Sequence, residues 1–225
     1  MRLRLNLWAV FLVLLLFTGG CGSGSSGKSP FEIFTGGCSG GRPVQAPAAS
    51  TGGAGKVLFV VAPSDFRDEE YDLPREILED KGYRVMVAST NRQIVRGTFG
   101  LEVKPDLTLS EAKGAEFAAV IFVGGNGAKI YFKDAEAHRL AREACNAGRV
   151  VGAICIAPGI LAEAGLLEGK QCTAYPSVKE LLRAKGAVYS SKEVVVDGGI
   201  VTANGPRSAR HFGNAVAALL KETGP

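Results

Sequence analysis

Histidine is scarce: a chain of 225 residues holds two, His138 and His211. Neither stands at a ligand spacing with any of the five cysteines, so no metal site is expected, and no organic cofactor is implied. The cysteines, at 21, 38, 145, 155 and 172, also lack the regular spacing of a disulfide-stapled domain. A strong excess of one charge is missing as well. The formal net charge is +4, and because four of the 26 basic residues and one of the 22 acidic ones precede residue 56, residues 56–225 carry +1. So balanced a segment gives no electrostatic case for a nucleic-acid partner. No internal repeat is visible, and the longest apolar run, residues 5–17, is short for a permanent membrane-spanning helix.

That run follows Arg2 and Arg4 and ends in Thr18-Gly19-Gly20-Cys21. A short basic segment, an apolar segment and small residues before a break read as an export signal over residues 1–20. The Cys after two glycines resembles a lipoprotein signal, with Cys21 the lipidated first residue of the mature protein; Thr18 stands where such signals more often carry Leu, and ordinary secretory cleavage is the alternative. Lipidation would tether the protein to an extracytoplasmic membrane face through acyl chains; ordinary cleavage would leave it secreted or periplasmic. Residues 21–55, rich in Gly, Ser, Pro and Ala, cannot bury enough surface to offset ordering and read as a flexible tether.

Residues 56–225 read as one α/β domain. The continuous apolar runs 57–62, 118–123 and 150–154 suit strands covered on both faces. Residues 68–81 and 135–147 have helical spacing, the second capped by Asp134, and strand-helix-strand succession implies a mainly parallel sheet flanked by helices, a flavodoxin-like three-layer sandwich. Residues 94–103 form a small excursion, 107–111 a short polar-edged piece, 129–134 a link, 171–174 a short strand and 176–185 a helix. Residues 194–203 form a hairpin turning at Asp197-Gly198-Gly199, and Pro206 opens a closing helix through Leu220.

The chemistry is expected at Cys155. Val150-Val151-Gly152-Ala153-Ile154 is strand-like and Pro158 suits a first helical turn, so Cys155 falls where the strand turns into a helix. Unpartnered backbone N–H groups there can stabilise a thiolate and a developing oxyanion, although a small buried cysteine in a core is the plainer reading. The strand ends at Asp65 to Glu70, at Gly124-Gly125 and at Cys155 converge on one crevice of a parallel sheet. Either Glu69 or Glu70 could meet the sulfur, and a buried one would hold a proton to donate. His138 and His211 are taken as structural or surface residues. The Gly124-Gly125-Asn126-Gly127 turn is not a nucleotide loop, lacking both the dinucleotide spacing and a following Lys-Ser or Lys-Thr.

In sequence the domain resembles the PfpI family of protease-like and deglycase-like proteins, within the class I glutamine-amidotransferase-like superfamily. The resemblance rests on Asp65-Phe66-Arg67-Asp68-Glu69-Glu70, Gly124-Gly125, Ala153-Ile154-Cys155 with Pro158, Thr173-Ala174-Tyr175-Pro176, and Val195-Val196-Asp197-Gly198 leading to Thr202-Ala203. It implies Cys155 as an elbow nucleophile, Glu70 as the acid at its sulfur, backbone donors at Gly125 and Ile156, and a homodimer or larger assembly; the shape of the pocket is expected to depend on Tyr175 and Asn126. Two departures matter. Peptidase-like members carry His directly after the cysteine, where this chain has Ile156, and deglycase-like members often carry His at the position of Tyr175. Amide hydrolysis needs a proton for a poor leaving group, so peptidase or amidase action is the disfavoured alternative. Action on, or sensing of, a small electrophile or oxidant by a reactive cysteine is the leading reading; a non-catalytic binding or structural member is the second.

Overall fold

The computed structural model describes residues 55–223; the expected export signal, tether, Cys21 and Cys38 lie outside them. The chain runs β1 (Lys56–Val60), β2 (Ser64–Phe66), α1 (Asp68–Asp80), β3 (Arg84–Ser89), β4 (Val95–Gly97), β5 (Glu102–Val103), β6 (Leu107–Thr108), β7 (Ala119–Phe122), α2 (Ala135–Asn146), β8 (Val150–Ile154) and α3 (Pro158–Glu163). It continues through β9 (Gln171–Cys172), α4 (Lys179–Ala184), β10 (Val188–Tyr189), β11 (Val194–Asp197), β12 (Ile200–Ala203) and α5 (Ala209–Thr223).

Seven strands form the central sheet in the order β11-β12-β8-β7-β1-β3-β6, parallel throughout except for β11 against β12. All five residues of β8 and all four of β7 are buried, as the unbroken apolar runs require of strands covered on both faces. α1 packs on α5, and α2 on α3. From β1 the chain crosses outward to β3, whereas from β7 it crosses the other way to β8. Right-handed crossovers in opposite directions put α1 and α2 on opposite faces and open a crevice at the carboxyl ends of the adjacent strands β1 and β7.

Most expected elements are present, with instructive differences. Between β1 and α1 lies β2, which pairs in parallel with β4; β4 in turn pairs antiparallel with β5, so the excursion at 94–103 is part of a three-stranded side sheet. Asp68 ties that sheet to the start of α1, its carboxylate accepting hydrogen bonds from the Phe99 and Leu101 N–H groups at 2.9 Å each. The short strand 171–172 finds its partner in β10, a two-residue strand with no distinctive local pattern. The expected link at 129–134 belongs in part to a 3-10 segment, Asn126–Tyr131, that starts directly after the glycine turn. Asp134 caps α2 as expected, accepting from the Ala137 N–H at 2.8 Å.

Candidate active site

The crevice holds a cavity of about 460 Å³ lined by Asp65, Arg67, Glu70, Gly125, Asn126, Cys155, Ile156 and Tyr175, together with four residues that sequence reasoning does not place there: Thr98, Lys129, Ser177 and Pro206. Each side is delivered by a strand end. Cys155 follows β8 with φ +64°, a left-handed backbone that a non-glycine residue adopts at some cost and that over-determined packing must hold. Its N–H is donated to the Ala203 carbonyl at 2.9 Å, and its own carbonyl accepts from the Tyr175 N–H at 2.7 Å, so the turn is clamped on both sides. Pro158 then opens α3 at the position where a missing N–H costs nothing.

The six residues from Asp65 in β2 to Glu70 in the first turn of α1 divide their tasks. Asp65 takes a left-handed turn (φ +53°), Phe66 is fully buried, and Arg67 donates to Glu69 at 2.9 Å while its guanidinium lies 4.4 Å from the centre of the Phe99 ring. Asp68 holds the side sheet. Of the acidic residues here, Glu70 turns inward, with no exposed surface. Glu69 is thereby removed as the candidate acid, because it is half-exposed and spent on Arg67.

The turn after β7 fits against this acid so closely that a side chain is excluded. A Cβ at Gly124 would stand 2.6 Å from Cys155 Cβ and in still closer contact with Glu70 Oε2, which shows how near the carboxyl and the cysteine lie. At Gly125, φ is +96° and a Cβ would stand 2.5 Å from the Arg67 nitrogen.

The electrostatics follow from burial. Neither oxygen of the Glu70 carboxyl has a hydrogen-bond partner of normal geometry. Desolvation therefore dominates and pushes Glu70 up to about 8, against smaller opposing pulls from the Cys155 side chain, the Arg67 charge and the Gly124 N–H. At Cys155, 8% exposed, burial and then the Glu70 charge push the thiol up to about 12, while the N–H groups of Gly125 and Ile156 act in the opposite direction. The thiolate expected from the turn's N–H groups alone thus meets a desolvation penalty that the sequence did not disclose. Two adjacent buried groups cannot both ionise, so they titrate as a pair; near neutral pH the carboxyl keeps its proton.

Both histidines are committed elsewhere. His138 Nε2 lies 2.8 Å from the Phe132 carbonyl, and His211, exposed on α5, lies 3.1 Å from Glu193. Tyr175 is half-exposed at the cavity's edge. Cys172 is a fully buried free thiol, Cys155 is also free, and Cys145 is disulfide-bonded. Among the described residues no group of His, Cys, Asp and Glu side chains is arranged to hold a metal ion, and no helix is long and apolar enough to cross a membrane.

Comparison with known proteins agrees with this architecture. Protein MJ0967 of Methanocaldococcus jannaschii is 39% identical over 170 residues, covering 74% of this chain and 83% of its own. Deglycase PH1704 of Pyrococcus horikoshii is 34% identical over 166 residues, covering 74% of this chain and 99% of its own. The crystal structure of a ThiJ/PfpI domain protein from Brachyspira murdochii superposes with a TM-score of 0.73 at 36% identity, over 74% of this chain and 96% of that one. The family model described as DJ-1/PfpI family matches residues 55–219, and the chain belongs to the DJ-1/PfpI family.

Proposed function

We propose that Cys155 is the nucleophile of a site that acts on small, reactive carbonyl compounds such as 2-oxoaldehydes, with Glu70 as its proton partner. The observation that carries this reading is the fully buried, unpartnered Glu70 carboxyl beside Cys155, held protonated near neutral pH. A bare buried acid costs stability, and such an acid next to a nucleophile at a strand end is the arrangement proton-transfer chemistry uses. That several relatives are named deglycases is in keeping with it.

In this reading the reactive form is the pair with one proton removed. The remaining proton is shared between carboxyl and sulfur, and the Gly125 and Ile156 N–H groups favour charge on sulfur. The sulfur adds to the carbonyl carbon, the C=O electron pair moves onto oxygen, and the Glu70 proton passes to that oxygen to give a hemithioacetal. The N–H groups of Gly125 and Ile156 stabilise the oxyanion as it develops. The carboxylate left behind can then serve as a base for the next proton transfer. No imidazole is required, in keeping with Ile156 and Tyr175 at the two positions where the resemblance expects histidine.

The protein's setting belongs to the same proposal: an export signal over residues 1–20, lipidation at Cys21, a tether over residues 21–55, and an extracytoplasmic domain that forms a homodimer or larger assembly. A disulfide at Cys145 suits an oxidising compartment. A second reading, a binding member without turnover, is favoured by the absence of histidine from the cavity lining. The test is consumption of methylglyoxal by the wild-type protein and by Cys155→Ser. Loss of consumption in the serine variant is expected; consumption that persists unchanged would remove Cys155 from the chemistry, and none in either protein would favour the binding reading.

A further inference from the structure

The cavity's wall beyond the sulfur has a direction. Asn126 and Lys129 open and continue the 3-10 segment Asn126–Tyr131, and residues three apart eclipse on such a helix, so both side chains stand on the wall that begins at the Gly125 N–H. At the usual rise of roughly 2 Å per residue, Lys129 stands roughly 6 Å further along this wall than Asn126. Of the cations lining the cavity, Arg67 is engaged by Glu69 and stacked on Phe99. Among the described residues, Lys129 has no ion-pair partner, and the Asn126 side chain makes no hydrogen bond. The opposing charge is Asp65, in β2, which packs against this 3-10 segment, so its carboxylate offsets part of the Lys129 charge.

From this arrangement we infer that the site prefers a substrate carrying an anionic group, a carboxylate a few bonds from the electrophilic carbon, with Lys129 and Asn126 as the residues that set this specificity. The inference rests on Cys155 being the nucleophile. The electrophilic carbon sits at the sulfur with its oxygen toward the Gly125 N–H, and the carboxylate lies along the 3-10 wall, accepting from the Asn126 amide and the Lys129 ammonium. Lys129 is exposed, so its effect is that of a partly solvated ion pair and selects among substrates without deciding reactivity.

The test uses two alkylating probes of similar size and opposite charge character, iodoacetate and iodoacetamide. In both, sulfur forms a bond to carbon as iodide leaves, and the thiol proton goes to solvent. The readout is the ratio of their rates at Cys155, measured by peptide mapping on the full chain in detergent at low salt, which removes differences in intrinsic thiol reactivity between variants. Lys129→Gln is expected to lower the iodoacetate-to-iodoacetamide ratio about threefold, the size of a partly exposed ion pair, and Asp65→Asn to raise it. Lys221→Gln, on exposed α5 surface, is expected to leave it unchanged. Glyoxylate is likewise expected to protect Cys155 at lower concentration than glyoxal in wild type, and to lose that advantage in Lys129→Gln. A ratio indifferent to residue 129, with Cys155 alkylated by both probes, overturns the anion preference while leaving the nucleophile standing. Failure of both probes to label Cys155 overturns the nucleophile and the preference together.

Discussion

Replacing Glu70 with Gln should make the protein more stable, and by an amount that grows with pH. The carboxyl is fully buried without a hydrogen-bond partner, and its pKa is raised from 4.5 to about 8 by desolvation. Below about 4.5 the group is protonated in both folded and unfolded chains and exacts no ionisation penalty. As pH rises above that value the unfolded chain ionises and the native one does not, so the native state binds the extra proton and stability falls until the native group also ionises near 8. At 1.36 kcal/mol per unit, the loss accumulated by neutral pH is about 3 kcal/mol, an order-of-magnitude figure. Gln is nearly isosteric and does not ionise, so it abolishes the slope. The Cys155 thiol, whose ordinary value is 9.0, enters only at higher pH. The assay is urea unfolding of both proteins across this range. The two stabilities should approach each other near pH 4.5 and separate toward neutrality with the variant above the wild type. Parallel curves, or a variant that loses ground as pH rises, would show that Glu70 is ionised or hydrated in the native state.

Further outcomes follow from the same geometry. Gly124→Ala should cost about 1–3 kcal/mol by overpacking and slow alkylation of Cys155, because the added methyl meets both the cysteine and the Glu70 carboxyl; melting temperature and alkylation rate check this. Asp68→Ala leaves the Phe99 and Leu101 N–H groups without their acceptor, so a loss of about 1–3 kcal/mol and faster proteolysis between residues 97 and 101 are expected. Asp134→Ala should destabilise by about 1 kcal/mol through its lost helix cap, read by urea unfolding, without altering Cys155 alkylation.

What the sequence disclosed was what is local. β1, β7 and β8 announce themselves as unbroken apolar runs, α2 through its helical spacing and Asp134 cap, and the turn at Cys155 through a strand-like run followed by Pro158. The features it hid are set by distant partners. β2 has a local sequence indistinguishable from a turn and becomes a strand only because β4 lies beside it; β10 depends in the same way on β9. The choice between Glu69 and Glu70 was open because both are acidic residues of one helical turn, and a difference of one position decides which meets solvent and which meets sulfur. Lys129 reads as part of a link because the 3-10 segment has no strong periodicity, and Thr98, Ser177 and Pro206 join the cavity only through tertiary packing. The left-handed turn at Asp65 carried one usable signal, since Asp tolerates that conformation better than most residues.

The most direct test of a proton shared between Glu70 and Cys155 is the pH dependence of Cys155 alkylation by iodoacetamide in wild type and in Glu70→Gln. The account predicts a wild-type rate that rises through an inflection near 8, where the pair gives up its first proton, and a Gln variant in which that inflection is absent and reaction begins only at higher pH. Superimposable profiles would contradict it and leave Cys155 as a buried thiol that titrates without reference to its neighbour.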